Sequence, residues 1–469
     1  MNRYKKLVNN SLIFAVGNMG SKLMQFIMIP IYSYALTTGE FGKADFLTTL
    51  VSLLSPLICL DMIDGVFRFS LDNNNNKSKI FSTGLVFTSF ISLIVLILGL
   101  LMNSKVVGYP VIETVWLLIV TTFFGLISNY ARAVGHIKKY AISGIVNTFS
   151  MGIYNVISLV FLHLGVSAYI NAITFGQTMA IIYLVTTTPI MKNIKFTGFD
   201  ISLFRKMVIY SVPLIPNTFA WWLNSASDRF FILAMLGASA NGIYSMINRL
   251  PSMISTLMNI FSQSWQISAV EEFNSNDSKD FISNVFEYII SMVFFMSMLL
   301  LIIIKPLINV ILSMSYHSGW KLVPFMLVAV IYMILSSFLG VLYTASKKTI
   351  DVFISTVLGA IVNVILTILF IKLVGISGAA MANAISFFVV FLYRFHFMKE
   401  MRKINLNIKK FLVLHLLFSI VSVELFFIKN QLLFIIAGVL TLSIQFLLDQ
   451  ELQKIVKSFL ISIKKLKCN

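Results

Sequence analysis

The sequence predicts an all-α integral membrane protein of about 14 transmembrane helices, built as two pseudo-repeated six-helix bundles plus a C-terminal helix pair. Three observations carry this. Apolar residues make up 58% of the 469 and charged residues 12%, against about 25% charged in a soluble domain. Mean hydropathy is +0.90. The apolar residues gather in stretches near the roughly 20 residues that a spanning helix needs, and Lys and Arg gather between alternate stretches.

The expected spans are 9–36, 42–68, 81–103, 112–135, 140–163, 168–191, 207–236, 241–267, 281–303, 321–345, 352–373, 378–399, 411–428 and 431–449. The first follows a short basic head without a convincing cleavage site and reads as a retained span rather than a signal peptide. With both termini on one side, the loops and helix ends of that side hold 27 of the 36 Lys and Arg, and the other side holds 6. The positive-inside rule makes the basic side cytoplasmic. The net charge of +18 therefore reads as topology, with attraction to anionic headgroups secondary, and not as nucleic-acid binding. Cys59 falls in span 2 and Cys468 in the tail, which argues against a disulfide. The longest loops, near 192–206 and 305–320, are too short for a soluble catalytic domain.

A weak internal repeat runs at an offset of about 200. Span 1, the Gly42 turn and span 2 correspond to span 7, the Gly242 turn and span 8, with Ser55–Pro56 answered by Pro251–Ser252. Six spans per half make the halves parallel, related by an axis along the membrane normal. The expected division is an N-terminal lobe at 1–200, a second lobe at 201–405, and the helix pair with a basic cytoplasmic tail at 406–469.

Polar side chains at membrane depth mark the candidate site. In span 1, Asn18, Lys22 and Gln25 stand at i, i+4 and i+7, and Ser11, Asn18, Gln25 and Tyr32 recur every seven residues, so they share one slowly drifting face. Lys22 lies about 20 Å along the helix from Asn9, too deep for easy snorkelling. It reads either as half of a packing ion pair or as a cationic lining; its cost in lipid favours the lining. In span 7, Asn217, Trp221, Asn224 and Asp228 fall at i, i+4, i+7 and i+11, followed by Arg229, with Pro213 and Pro216 as a candidate hinge. Asp228 and Arg229 point about 100° apart and need not pair. Solvation near the outer interface is the competing reading for both.

Span 8 is the most polar. Ser245, Asn248, Arg249, Ser252, Thr256, Asn259, Gln263 and Gln266 form a nearly continuous stripe. Amides link helices in lipid, but a run along the whole span is better explained by water. Arg249 can bind phosphate in bidentate fashion or form a structural ion pair. In span 2, Asp61, Asp64 and Arg68 fall at i, i+3 and i+7. Asp64 and Arg68 have the favourable orientation for a pair; Asp61 is deeper and is a candidate for ion coupling, as is Asp228, although a structural pair is the commoner use of such a group. Asn147, Asn155, Asn171 and Gln177 read as interhelical links. Trp221, Trp222 and Trp265 read as interface aromatics or sugar-stacking surfaces. The run Gly375, Gly378, Ala379, Ala380, Ala382, Ala384 reads as close helix packing. His163 and His415 have no metal spacing, and no P-loop, GxSxG, HExxH or CxxC is present, so neither a metal, a cofactor nor an enzymatic activity is expected.

The run 9–69 resembles the Wzx-like polysaccharide (O-antigen type) flippases of the multidrug/oligosaccharidyl-lipid/polysaccharide exporter superfamily. The resembling elements are Gly20-x-Lys22, Pro30-x-Tyr32, Glu40-Phe41-Gly42 with Asp45, and Arg68-Phe69. Gly242-Ile243-Tyr244-Ser245 and Gly378-Ala379-Ala380 echo it later. Gly65 stands where members often carry Ala. The resemblance implies a V-shaped, two-lobed, alternating-access bundle in the bacterial plasma membrane. It implies transfer of undecaprenyl-pyrophosphate-linked oligosaccharide from the cytoplasmic to the outer leaflet for a surface polysaccharide such as O-antigen or capsule, with H⁺ or Na⁺ as coupling ion and with a polymerase and glycosyltransferases as neighbours. A lipid II flippase, a cation-coupled multidrug antiporter and a membrane-embedded polymerase are the alternatives; deep charges that lean basic, and the lack of a large outer loop, count against the last two.

Overall fold

The computed structural model describes residues 24–72, 76–103, 108–190, 199–273, 277–346, 348–400, 404–454 and 457. Every regular element among them is helical. Eleven of these helices are long and apolar enough to cross a membrane, and the chain is a multi-pass membrane protein. It divides into two compact units, one at 16–245 and one formed mainly by 246–469. Packing thus places 201–245 in the first unit, whereas the sequence boundary at 200 follows the internal repeat, a different criterion.

The first unit begins with α1 (24–35 of the described residues). It continues with α2 (Thr38–Ile58), α3 (Met62–Ser70), α4 (Lys77–Asn103), α5 (Val111–Ala133), α6 (Ile137–Asn155) and α7 (Gly165–Thr187). Thr37 starts α2 through a capping box: its Oγ1 accepts from Glu40 N–H at 3.2 Å, and Glu40 Oε2 accepts from Thr37 N–H at 3.0 Å. The expected span 42–68 is broken. Pro56 cannot donate to the carbonyl one turn back. Cys59 ends α2, and Leu60 and Asp61 take left-handed conformations with φ of 48° and 51°, a strained arrangement for residues with a Cβ. Below the break, Met62, Val66, Phe81, Leu126, Tyr130 and Met207 pack as a buried cluster, with Phe81 and Tyr130 stacked at 4.3 Å. Asn155 donates to Tyr32 Oη at 2.9 Å and Thr121 to Gln177 Oε1 at 3.0 Å, the interhelical bonds expected of these amides. One wider π-type stretch, Val156–Phe161, prolongs α6.

The expected span 207–236 is also interrupted. It consists of α8 (Ile201–Ser211), a tighter 3₁₀ turn at Val212–Leu214, α9 (Ile215–Ala226) and α10 (Asp228–Leu236). Asp200 caps α8 by accepting from Ser202 and Leu203 N–H at 3.0 and 3.1 Å. Pro213 and Pro216 account for the first interruption. α11 (Ala238–Glu272) runs 35 residues, Pro251 included. It is longer than any span requires, and its polar side chains hold its hydropathy below that of the eleven apolar helices.

The second unit contains α12 (Ser278–Ile311), a 3₁₀ stretch at Met314–Leu322, α13 (Val323–Ala345), α14 (Thr349–Val374), α15 (Ile376–Glu400), α16 (Ile408–Phe427) and α17 (Gln431–Leu448). The small-residue run does pack closely. Ala379, Ala380 and Ala382 are fully buried, and a Cβ on Gly378 would fall 2.2 Å from the Phe370 carbonyl. Arg394 on α15, which its place in the sequence groups with the cytoplasmic cations, is 3% exposed and buried against α13 and α14.

Candidate functional site

The first unit holds a charged cluster where α2, α10 and the start of α11 meet. Asp45 lies two turns inside α2, and Arg229 is the second residue of α10. Arg229 Nε donates to Asp45 Oδ2 at 2.9 Å, and Ser245 Oγ donates to the same oxygen at 2.5 Å. Arg229 Nη1 lies 3.6 Å from Asp228 Oδ1. Although adjacency does not require it, the two neighbours approach, and the Asp228 side chain folds back to accept from Arg229 N–H at 2.9 Å. Tyr244 Oη donates to Asp228 Oδ2. One guanidinium thus meets two carboxylates, with side-chain exposures of 15% for Arg229, 14% for Asp45 and 3% for Asp228. An aromatic patch flanks the cluster: Phe230 packs on Phe46 at 4.7 Å and on Trp222 at 5.5 Å.

This arrangement leads to a test. Asp45→Asn or Arg229→Met alone leaves the remaining group without its nearest counter-charge at low exposure, which destabilises strongly. The pair should therefore couple: the double variant is expected to melt about 0.5–3 kcal/mol better than the sum of the single losses, read by thermal unfolding in detergent. Strict additivity would show that the pair contributes nothing.

Beside the cluster the helices cross at very short range. A Cβ on Gly42 would lie 1.9 Å from Ala238 O, and one on Gly242 would lie 1.8 Å from Thr38 O. Asn241 Nδ2 donates to Gly42 O at 2.8 Å. The approaches are reciprocal, 42 with 238 and 242 with 38, as in a two-fold-related pair. They fall at the repeat offset of 200, as does the Asp45–Ser245 bond.

The other predicted residues are dispersed. Asn18 and Lys22 lie outside the described residues; Gln25 is exposed on α1. Asn217 and Trp221 are exposed on α9, while Asn224 is buried. Trp221 lines a small apolar cleft of about 180 Å³ with Leu53, Pro56, Phe219 and Trp222. Trp222 Nε1 is turned inward to Thr49 O at 3.3 Å. Trp265 stacks on Phe338 at 4.4 Å in the core, which removes it as a sugar-stacking surface. On α11, Asn248 and Arg249 are half-buried and Asn259 and Gln263 exposed. At 100° per residue, Asn248, Ser252, Asn259 and Gln263 lie opposite the buried Leu250, Ile254, Met258 and Trp265, so the polar stripe turns away from the core of its own unit. Asp61 stands apart at the break after α2. It is 8% exposed, and no hydrogen bond or ion pair to its carboxylate is seen among the described residues. No group of three or more His, Cys, Asp or Glu side chains among the described residues is arranged to hold a metal.

Sequence reasoning reaches Asp45 only as part of a motif. The available signal was the same as for Lys22, a charge inside an apolar helix, together with its repeat partner Ser245.

A family model described as "Polysaccharide biosynthesis protein" matches residues 7–266, a region that includes α1 to most of α11. The "Lsg locus putative protein 1" of Haemophilus influenzae (strain ATCC 51907 / DSM 11121 / KW20 / Rd) is 23% identical over 262 residues, 53% of this chain and 62% of that protein. The match therefore spans less than two thirds of that relative. Among solved structures, "Lipid II flippase MurJ, inward closed conformation" superposes with a TM-score of 0.71 at 16% identity over 96% of this chain and 100% of that one. An inward-facing multidrug resistance MATE family transporter of the MOP superfamily gives 0.68 at 9% identity over 85% and 98%. At these identities the likeness is one of fold. The chain belongs to the polysaccharide biosynthesis protein family, and it has the fold of the MOP-superfamily transporters.

Proposed function

We propose that the protein is a flippase that moves an undecaprenyl-pyrophosphate-linked oligosaccharide from the cytoplasmic to the outer leaflet of the bacterial plasma membrane, for O-antigen, capsule or a similar surface polysaccharide. The observation that carries this reading is the polar face of α11 in a member of a polysaccharide biosynthesis family. Its Asn248, Asn259 and Gln263 supply amides suited to hydroxyls, and Arg249 supplies a guanidinium suited to a pyrophosphate. Asn18, Lys22, Gln25, Asn217, Trp221, Asn224 and Arg229 complete the proposed lining. Both termini are cytoplasmic in this reading. The lobes at 1–200 and 201–405 move against each other, the pair at 406–469 is accessory, and H⁺ or Na⁺ couples at Asp61 or Asp228. Asp228 is already held by Arg229 and Tyr244, whereas no bond to the Asp61 carboxylate is seen among the described residues, which favours Asp61 as the coupling group.

In a strain lacking its own oligosaccharide flippase, the wild-type gene is expected to restore surface glycan. Arg249→Ala and Lys22→Ala should each cut display about ten- to a hundredfold, the worth of roughly 1.5–3 kcal/mol for a charged hydrogen bond. Unchanged display in Lys22→Ala, Arg229→Ala and Arg249→Ala together would sink the cationic lining. Rescue of a lipid II flippase depletion instead would assign the cargo to that alternative.

A further inference from the structure

The second unit contains a cavity of about 950 Å³ at the end that carries its basic loops. Its walls are the first turns of α12 and α16, the segment 405–407, and the end of α17. Lys410 bridges two carboxylates here, with Nζ 3.2 Å from Glu287 Oε2 and 3.1 Å from Asp449 Oδ1. Glu287 Oε1 also accepts from Asn407 N–H at 2.8 Å. Asp449, 2% exposed, uses Oδ1 again to accept from Glu451 and Leu452 N–H at 3.1 and 3.2 Å. Its Oδ2 is buried and receives no donor among the described residues. Gln445, fully buried one turn earlier, donates through Nε2 to Ser291 O at 3.3 Å, and its Oε1 likewise receives none among the described residues.

Two buried acceptors on one face of a helix end thus border a cavity with a surplus of negative charge. Four carboxylates, Asp280, Glu287, Asp449 and Glu451, stand against Lys409 and Lys410 in the lining and Lys454, 2.9 Å from Glu451, which leaves one negative charge in surplus. A single cation with N–H donors fits that need. A primary ammonium offers three, whereas a quaternary ammonium offers none. The exposed Lys409 at the rim suits a phosphodiester. Val413, Leu414, Leu417 and Leu448 form an apolar wall, and it continues into the exposed apolar surface of Leu412, Leu416 and Leu447 on the spanning helices α16 and α17. We propose that this cavity is a binding site for an aminophospholipid, with the headgroup ammonium on Asp449 and Gln445, the phosphodiester at Lys409 and the acyl chains along α16. A soluble amine would use the acceptors but not the apolar wall.

The test is native mass spectrometry of the purified full chain with dioleoyl phosphatidylethanolamine, phosphatidylcholine or phosphatidylglycerol, paired with thermal unfolding. Phosphatidylethanolamine should be retained at least about tenfold better than the other two (1.4 kcal/mol), and it alone should raise the melting temperature. Gln445→Leu, which keeps the Asp449 cap, should lose most of that preference while folding normally. Asp449→Asn should lose it too if it folds. Equal retention of all three lipids, full displacement by millimolar ethanolamine, or an unaltered preference in Gln445→Leu would each overturn the proposal, the first meaning that water alone fills these acceptors. None of these readouts depends on the cargo, so failure here leaves the flippase reading standing, and the reverse.

Discussion

Arg394→Ala is expected to abolish a monodisperse, folded protein in detergent or to lower its stability by about 3–5 kcal/mol, a large part of the 5–15 kcal/mol available to a typical domain. The guanidinium is 3% exposed, and no carboxylate pairs with it among the described residues. It is held entirely by neutral acceptors. Nε donates to Ser355 Oγ at 2.9 Å, Nη1 to Ser336 O at 2.8 Å and Nη2 to Thr356 Oγ1 at 3.0 Å. Tyr343 Oη donates to the Arg394 carbonyl at 2.9 Å. One planar fork therefore joins α13, α14 and α15. Truncation removes its volume, which by itself costs about 2–5 kcal/mol for a large core side chain, and removes the three hydrogen bonds of the fork. Arg394→Lys should recover only part of the loss, because an ammonium cannot reach three acceptors set out for a fork. Arg394→Met separates the terms: it fills the volume without the charge, and a buried charge is costly in itself. If Met melts as high as wild type while Ala fails, packing is what Arg394 supplies; if both fail, the hydrogen-bond fork is. An Arg394→Ala protein that melts with wild type would refute the clamp.

Arg394 also shows where sequence reasoning stops. Composition and run length located the eleven apolar spans, because apolar length is a local property that bilayer thickness selects. The repeat offset of 200 pairs Gly42 with Gly242, but both lie inside helices, α2 and α11, and not in the expected turns, because the chain turns four or more residues earlier, before Thr38 and Ala238. The polar face of α11 was visible because helical periodicity alone separates it from the buried face. Arg394 groups with the cytoplasmic cations because its position near a span end looks like a loop flank. Its acceptors sit 38 to 58 residues away, and Ser336, Ser355 and Thr356 look like any other hydroxyls in apolar helices. Arg229 and Asp45 are 184 residues apart, beyond any pattern of spacing. The break at Cys59–Asp61 was hidden for a different reason. Pro56 weakens the helix there, but the apolar pattern runs on past it, and the conformations of Leu60 and Asp61 are what locate the break.

Gly42→Ala and Gly242→Ala are each expected to force α2 and α11 apart and to cost about 1–3 kcal/mol or more. The added methyl at either position would meet backbone at 1.9 or 1.8 Å. Backbone cannot yield as the far end of a side chain can, so the axes must move. Small residues at such crossings are what permit close backbone approach in membranes. The displacement would also strip the bond from Asn241 to Gly42 O and lengthen the Asp45–Ser245 bond one turn on, which couples the crossing to the charged cluster. Because the approach is reciprocal, the two substitutions share one strain. Once the helices have parted for the first methyl, the second meets less resistance, and the double variant should lose clearly less than the sum of the singles. Gly39→Ala is the control: its nearest neighbour would be Ser239 Oγ at 3.4 Å, an ordinary contact, so its melting temperature should stay near wild type. Wild-type stability in Gly42→Ala and Gly242→Ala, or full additivity between them, would mean that the helices do not cross at this point.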